Sequence, residues 1–145
     1  LASLLATYKT DPESLERAFT VARRLRGLDV PAFQDTYGWI VYRRGDLEEA
    51  LLNLEPAAKG LPDDPLVQFH LGMVYADLGR VDDARAQLTR ALDLAGDSPL
   101  PQFQVARDKL ASLPAASATD PAAGAPAEAP AEGTAKDGEA PKATP

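Results

Sequence analysis

The chain has 145 residues, no cysteine and one histidine, His70. Disulfides, thiolate nucleophiles and clustered His/Cys metal sites are thereby excluded, while the redox compartment stays open. No apolar run reaches the ~18 residues that a membrane-spanning helix needs. No secretory leader is visible, and the only methionine is Met73, so the sequence reads as a piece of a longer protein. Neither G-x4-G-K-[ST] nor G-x-G-x-x-G occurs, so no phosphate cradle is indicated. The net charge of −7 is the wrong sign for a nucleic-acid partner, which requires clustered Lys and Arg. These absences leave about one domain whose charge favours solubility.

What the chain does contain is one passage written twice between Pro31 and Ser98. Gly38 falls on Gly72, Gly45 on Gly79, Ala50 on Ala84, Leu54 on Leu88 and Ala57 on Ala91, always 34 residues apart. A fixed period of this size marks stacked helical repeats. Gly38 and Gly72, with the alanines opposite them, are small where two helices approach closely. Gly45 and Gly79 stand where the chain reverses, at places suited to positive φ.

The spacing G-x6-G-x4-A-x3-L-x2-A resembles the tetratricopeptide repeat, a helix–turn–helix unit of this length. Leu71-Gly72 and Tyr75 match its first helix, and Ala84, Leu88 and Ala91 match its second. Tyr37-Gly38, Val41, Ala50, Leu54, Ala57 and Pro62 hold the same places in the earlier copy. The sequence departs from the family at its early tryptophan, replaced by Gln34 and Gln68, and at the second closing proline, replaced by Gly96. The resemblance implies an all-α fold: a helix–turn–helix repeat solenoid, a right-handed superhelix ending in a capping helix. The wording around Asp35–Trp39 and Tyr42–Gly45 looks like large bacterial repeat proteins of cell-envelope, exopolysaccharide or secretion systems.

Taken in order, residues 1–113 form the repeat domain. A truncated, degenerate repeat covers 1–30, with the end of a helix over Leu1–Lys9 and a second helix from Pro12 to about Arg26 behind an Asp11 cap. Its cut face should expose apolar surface and drive weak self-association. The repeat over 31–64 has helices Pro31–Arg44 and Leu47 to about Lys59, the latter opened by an Asp46/Glu49 capping box. Pro56 inside that helix predicts a kink at a cost of roughly 3 kcal/mol. The repeat over 65–98 has helices from Pro65 to about Leu78 and from Val81 to Leu94. Ser98-Pro99 opens a capping helix over 99–113.

Residues 114–145 hold 12 alanines and 6 prolines and no Leu, Ile, Val, Met or aromatic. Such a segment cannot offset its ordering entropy, which predicts a disordered, partly polyproline-like, mildly acidic tail. The doublets Glu48-Glu49, Asp63-Asp64 and Asp82-Asp83 fall at helix starts, where carboxylates cap free N–H groups. No base or nucleophile accompanies them, so the chain is expected to be no enzyme and to need no cofactor or metal.

The family resemblance implies a concave face lined by positions 2, 5, 6, 9, 12 and 13 of each first helix. Counted from Pro31 these are Asp35, Thr36, Trp39, Tyr42 and Arg43. Counted from Pro65 they are Leu66, Phe69, His70, Met73 and Asp77, and from Pro99 they are Phe103, Gln104 and Arg107. Leu5, Tyr8 and Lys9 would extend the face. Aromatics, Met and Arg commonly dominate interfaces, though Phe69 and Met73 suit a packing role equally well. The partner implied is another protein whose peptide or helix lies in this groove. A regulatory arm of an enzyme and a self-assembling scaffold remain as alternatives.

Overall fold

The computed structural model describes residues 11–115, so the helix expected over Leu1–Lys9, with Leu5, Tyr8 and Lys9, and the segment from residue 116 onward lie outside the described residues. Within them six helices follow one another: α1 (Pro12–Ala22, continued by a 3-10 turn, Arg23–Leu25), α2 (Pro31–Arg43), α3 (Leu47–Gly60), α4 (Pro65–Asp77), α5 (Val81–Ala95) and α6 (Pro101–Ser112). Among the described residues there is no strand. α2 packs on α3 and α4 on α5 as tight hairpins. The second hairpin stacks on the first through α3–α4 and α2–α4 contacts, and α6 closes over α4 and α5.

Local chemistry places the helix ends. Asp11 accepts the Ser14 amide at 2.9 Å, Asp46 the Glu49 amide at 3.1 Å, and Asp64 the Leu66 and Val67 amides at 3.0 and 3.3 Å. The capping box expected at Asp46/Glu49 is only half made. The Asp46 amide bonds the Val41 carbonyl, and the Glu49 carboxylate instead accepts from Tyr37 Oη at 2.7 Å and pairs with Arg26 Nε at 3.0 Å. Glu49 thus joins three successive helical segments. Gly45 and Gly79 hold φ of +94° and +78° at the hairpin turns, where a side chain would be strained.

The hairpins close through leucine rather than through facing alanines. A Cβ on Gly38 would lie 2.7 Å from Leu54 Cγ and 3.1 Å from Asn53 Cβ; one on Gly72 would lie 2.7 Å from Leu88 Cδ2 and 3.2 Å from the Leu88 backbone nitrogen. The alanines Ala50, Ala57, Ala84 and Ala91 are buried completely elsewhere along the same interface. Gly60 makes a further close approach, with Pro31 occupying the space its side chain would need. The end of α3 is thereby packed on the start of α2.

Two unusual residues have physical accounts. Gln68, in place of the early tryptophan, is 2% exposed, and its amide donates to the Leu61 carbonyl at 2.9 Å and accepts from Gln87. It ties the α3–α4 connection to α5 by hydrogen bonds. Pro56 leaves α3 helical through Gly60. The carbonyl it deprives of a partner belongs to Leu52, a residue 76% exposed, so water can reach that side of the helix.

α1 is bound to the end of α2 by a mixed contact. Arg44 pairs with Glu16 at 2.9 Å while its guanidinium lies 3.7 Å above the Phe19 ring, and Ala18 and Ala22 are fully buried beside it. The capping helix departs from expectation. It begins at Pro101 rather than Pro99, because Leu100 precedes a proline and is driven to extended backbone (φ −62°, ψ 133°).

Helix propensity alone would make Gly72→Ala stabilising by about 1 kcal/mol. The overlap with Leu88 reverses the sign: the expected result is a loss of ~1–3 kcal/mol in urea unfolding. A gain in stability would show that the glycine is not set by helix approach.

Candidate functional site

The first helices of each unit, α2 and α4, and the start of α6 enclose one cleft of about 560 Å³. Residues three and four apart share a helix face, which brings Asp35, Trp39 and Tyr42 of α2 opposite Phe69, His70, Met73 and Asp77 of α4. Its centre is a stack of three rings. Trp39 lies between Tyr42, at 4.8 Å and 20° between planes, and His70, at 4.2 Å and 21°. Phe69 meets the tryptophan obliquely at 5.7 Å and 51°, a geometry aromatic quadrupoles favour.

Carboxylates from both units fix the stack. Asp35 Oδ1 is 2.7 Å from His70 Nδ1, and as the carboxylate only accepts, that nitrogen carries the proton. The two side chains are 16% and 12% exposed, so this pair is largely shielded from solvent. Removing either would leave a buried polar group without its partner. Tyr42 Oη donates to Asp77 Oδ2 at 2.6 Å, and Lys109 Nζ reaches Asp77 Oδ1 at 2.8 Å from α6. Burial, then the bond to Asp77, holds the Tyr42 phenol well above its ordinary pKa. Asp77 therefore binds all three walls of the cleft together.

Of the thirteen described residues counted onto the concave face, seven line this cleft: Trp39, Tyr42, Arg43, Phe69, His70, Met73 and Asp77; Thr36, Leu66 and Gln104 do not. Asp35 stands behind them as the anchor of His70. Trp39 and Met73 are each 8% exposed and Phe69 2%, so these three form a packed floor and present edges rather than whole side chains. The remaining two are corrected. Phe103 is 1% exposed in the core, and Arg107 lies outside the cleft on the solvent side, bonding Gln104 at 3.3 Å.

The cause is the two-residue shift in the start of α6. Counting the same positions from Pro101 gives Gln102, Val105, Ala106, Lys109, Ser112 and Leu113, and the first two of these, with Pro101, form the third wall. The signal for this was present, since Leu100 lies between two prolines and cannot easily be helical. Gly45, from the α2–α3 turn, and Leu47, the first residue of α3, also line the cleft, and nothing in the repeat register assigned them to it.

Arg43 makes no hydrogen bond or ion pair among the described residues, and Gln102 Oε1 is buried without a partner. No group of His, Cys, Asp and Glu among the described residues could hold a metal ion, and no described helix is long and apolar enough to cross a membrane. Chemically the cleft offers an apolar, aromatic floor and one cation, Arg43, left without a counterpart among the described residues.

Residues 38–99 match the family model described as tetratricopeptide repeat. No curated protein matches the chain.

On the opposite side of the hairpins, Tyr37 donates to Glu49 and Tyr75 to Glu55 at 2.8 Å, and burial followed by these bonds pushes each phenol up to about 12. A folded-state pKa above the unfolded value of 10.0 contributes stability that is complete below about pH 10 and is lost as the pH climbs through 12. Phenolate absorbance and circular dichroism followed together should therefore change above pH 10. Full ionisation of these phenols at the ordinary pH with helicity intact contradicts their buried, hydrogen-bonded state.

Proposed function

This is a tetratricopeptide-repeat protein, and from that premise we propose that its cleft holds a peptide segment of another protein. Such repeats generally mediate protein–protein interaction and are non-catalytic. The observation that carries the reading is the Tyr42–Trp39–His70 stack with Asp35 and Asp77 on its flanks. These side chains are held in place before any ligand arrives, so little rotamer entropy remains to be lost on binding. An extended or helical peptide would lay apolar side chains on Trp39, Tyr42, Phe69, Met73 and Val105, with its backbone or side-chain donors meeting Gln102 and a carboxylate meeting Arg43. Placement in a bacterial cell-envelope, exopolysaccharide or secretion assembly is the setting we favour, from the likeness of the Asp35–Gly45 wording.

A second reading, pairing between copies, draws on α1, the connection after it and the start of α2. Val21, Leu28, Val30 and Phe33 are 43%, 43%, 42% and 40% exposed there. Sedimentation of the whole chain should show concentration-dependent association that Leu28→Ser with Phe33→Ser abolishes; a monomer at every concentration removes this reading.

The cleft reading is tested with peptides selected on the unmodified chain from a random library. Trp39→Ala with Tyr42→Ala should weaken their binding by about 2 kcal/mol, roughly 30-fold. Arg43→Ala, whose guanidinium bonds no described residue, should weaken carboxylate-bearing peptides with the fold unaltered. Undiminished affinity in the aromatic double variant, with helicity retained by circular dichroism, refutes the cleft assignment.

A further inference from the structure

The cleft holds one charged side chain without a counterpart. Asp35 is taken by His70, and Asp77 by Tyr42 and Lys109. Arg43, half-buried on the same wall, has no ion-pair or hydrogen-bond partner among the described residues. A guanidinium beside aromatic rings selects a carboxylate carried on an apolar body.

The chain itself supplies a segment of that chemistry. Pro126-Ala127-Glu128 is repeated as Pro130-Ala131-Glu132, within a stretch whose acids Asp120, Glu128, Glu132, Asp137 and Glu139 outnumber Lys136 and Lys142. Proline and alanine without larger apolar residues favour the polyproline II conformation. Such helices dock on aromatic-lined grooves at low entropic cost, and their backbone N–H groups make no internal bonds.

Reach and direction also fit. α6 enters the cleft by its first turn and ends at Ser112, 12 residues or about 18 Å further on. Arg85 donates to the Pro114 carbonyl, which holds the departing chain beside α5. From Ala115 to Pro126 a polyproline II chain covers roughly 34 Å, ample to run back along α6 to the cleft.

We propose that the Pro-Ala-Glu segment, residues 126–132, occupies the cleft of its own chain, with a glutamate on Arg43 and proline on the Tyr42–Trp39 edge. An external peptide must then displace it. The proposal rests on the cleft being a peptide site, and its test separates the two. The chain has one tryptophan, Trp39, and no cysteine, so a nitroxide on A129C is a unique label and the indole N–H resonance a unique reporter.

In the full chain the Trp39 indole signal should lose most of its intensity relative to the reduced label, independently of protein concentration. R43Q, or E128Q with E132Q, should restore it. An indole signal untouched by the label, or a loss that disappears on dilution, overturns the proposal. A loss that persists in both neutralised variants overturns the carboxylate contact. If the indole is untouched while selected peptides still bind through Trp39 and Tyr42, the self-docking fails and the cleft reading stands.

Discussion

The rest of the fold depends on a glycine meeting a leucine inside each hairpin. Gly38 against Leu54, and Gly72 against Leu88, bring the two helices of each hairpin nearer than any side chain on the first helix would allow. Leu54 and Leu88 are fully buried as a result, and the alanines one turn to either side of them are buried with them. Because each second helix fills the space behind its glycine, the opposite side of the first helix is left to meet only other first helices. The cleft is the remainder of that arrangement.

What fills the remainder explains why it is firm. Trp39 could face solvent as a loose ring, but Tyr42 and His70 hold it from either side and Asp35 holds His70 in turn. The stack crosses the boundary between the repeats, since Trp39 comes from one and His70 from the next. Asp77 crosses a second boundary to Lys109. Neighbour-to-neighbour contact is how stacked repeats derive their stability, and here the same contacts shape the cleft. A change at Asp35 or Asp77 therefore acts on stability and on the shape of the cleft together.

The 34-residue step made the fold legible, because helix lengths, turn glycines and helix approach all follow from one repeated pattern. The cleft was legible only as far as the repeat register held. Trp39, Tyr42, Arg43, Phe69, His70, Met73 and Asp77 came from two in-register units. Phe103 and Arg107 came from a helix with two candidate starting prolines, and the wrong one moves each residue to another face. Long-range partners had no local signal. Nothing near Gly60 announces Pro31, and a glutamate three residues after an aspartate looked like a capping partner when its work is to join Tyr37 and Arg26.

The distribution of charge in the cleft decides what kind of ligand it can prefer. Two carboxylates line or support it, which would ordinarily repel an acidic peptide. Both are already engaged, however, one by a ring nitrogen and the other by a phenol and an ammonium. A ligand therefore meets hydrogen-bonded, locally compensated groups rather than free negative charge. Arg43 stands outside these pairs, so its field is the one an incoming charge can satisfy. In a chain of net charge −7 the charge that folding leaves over in this cleft, among the described residues, is thus positive.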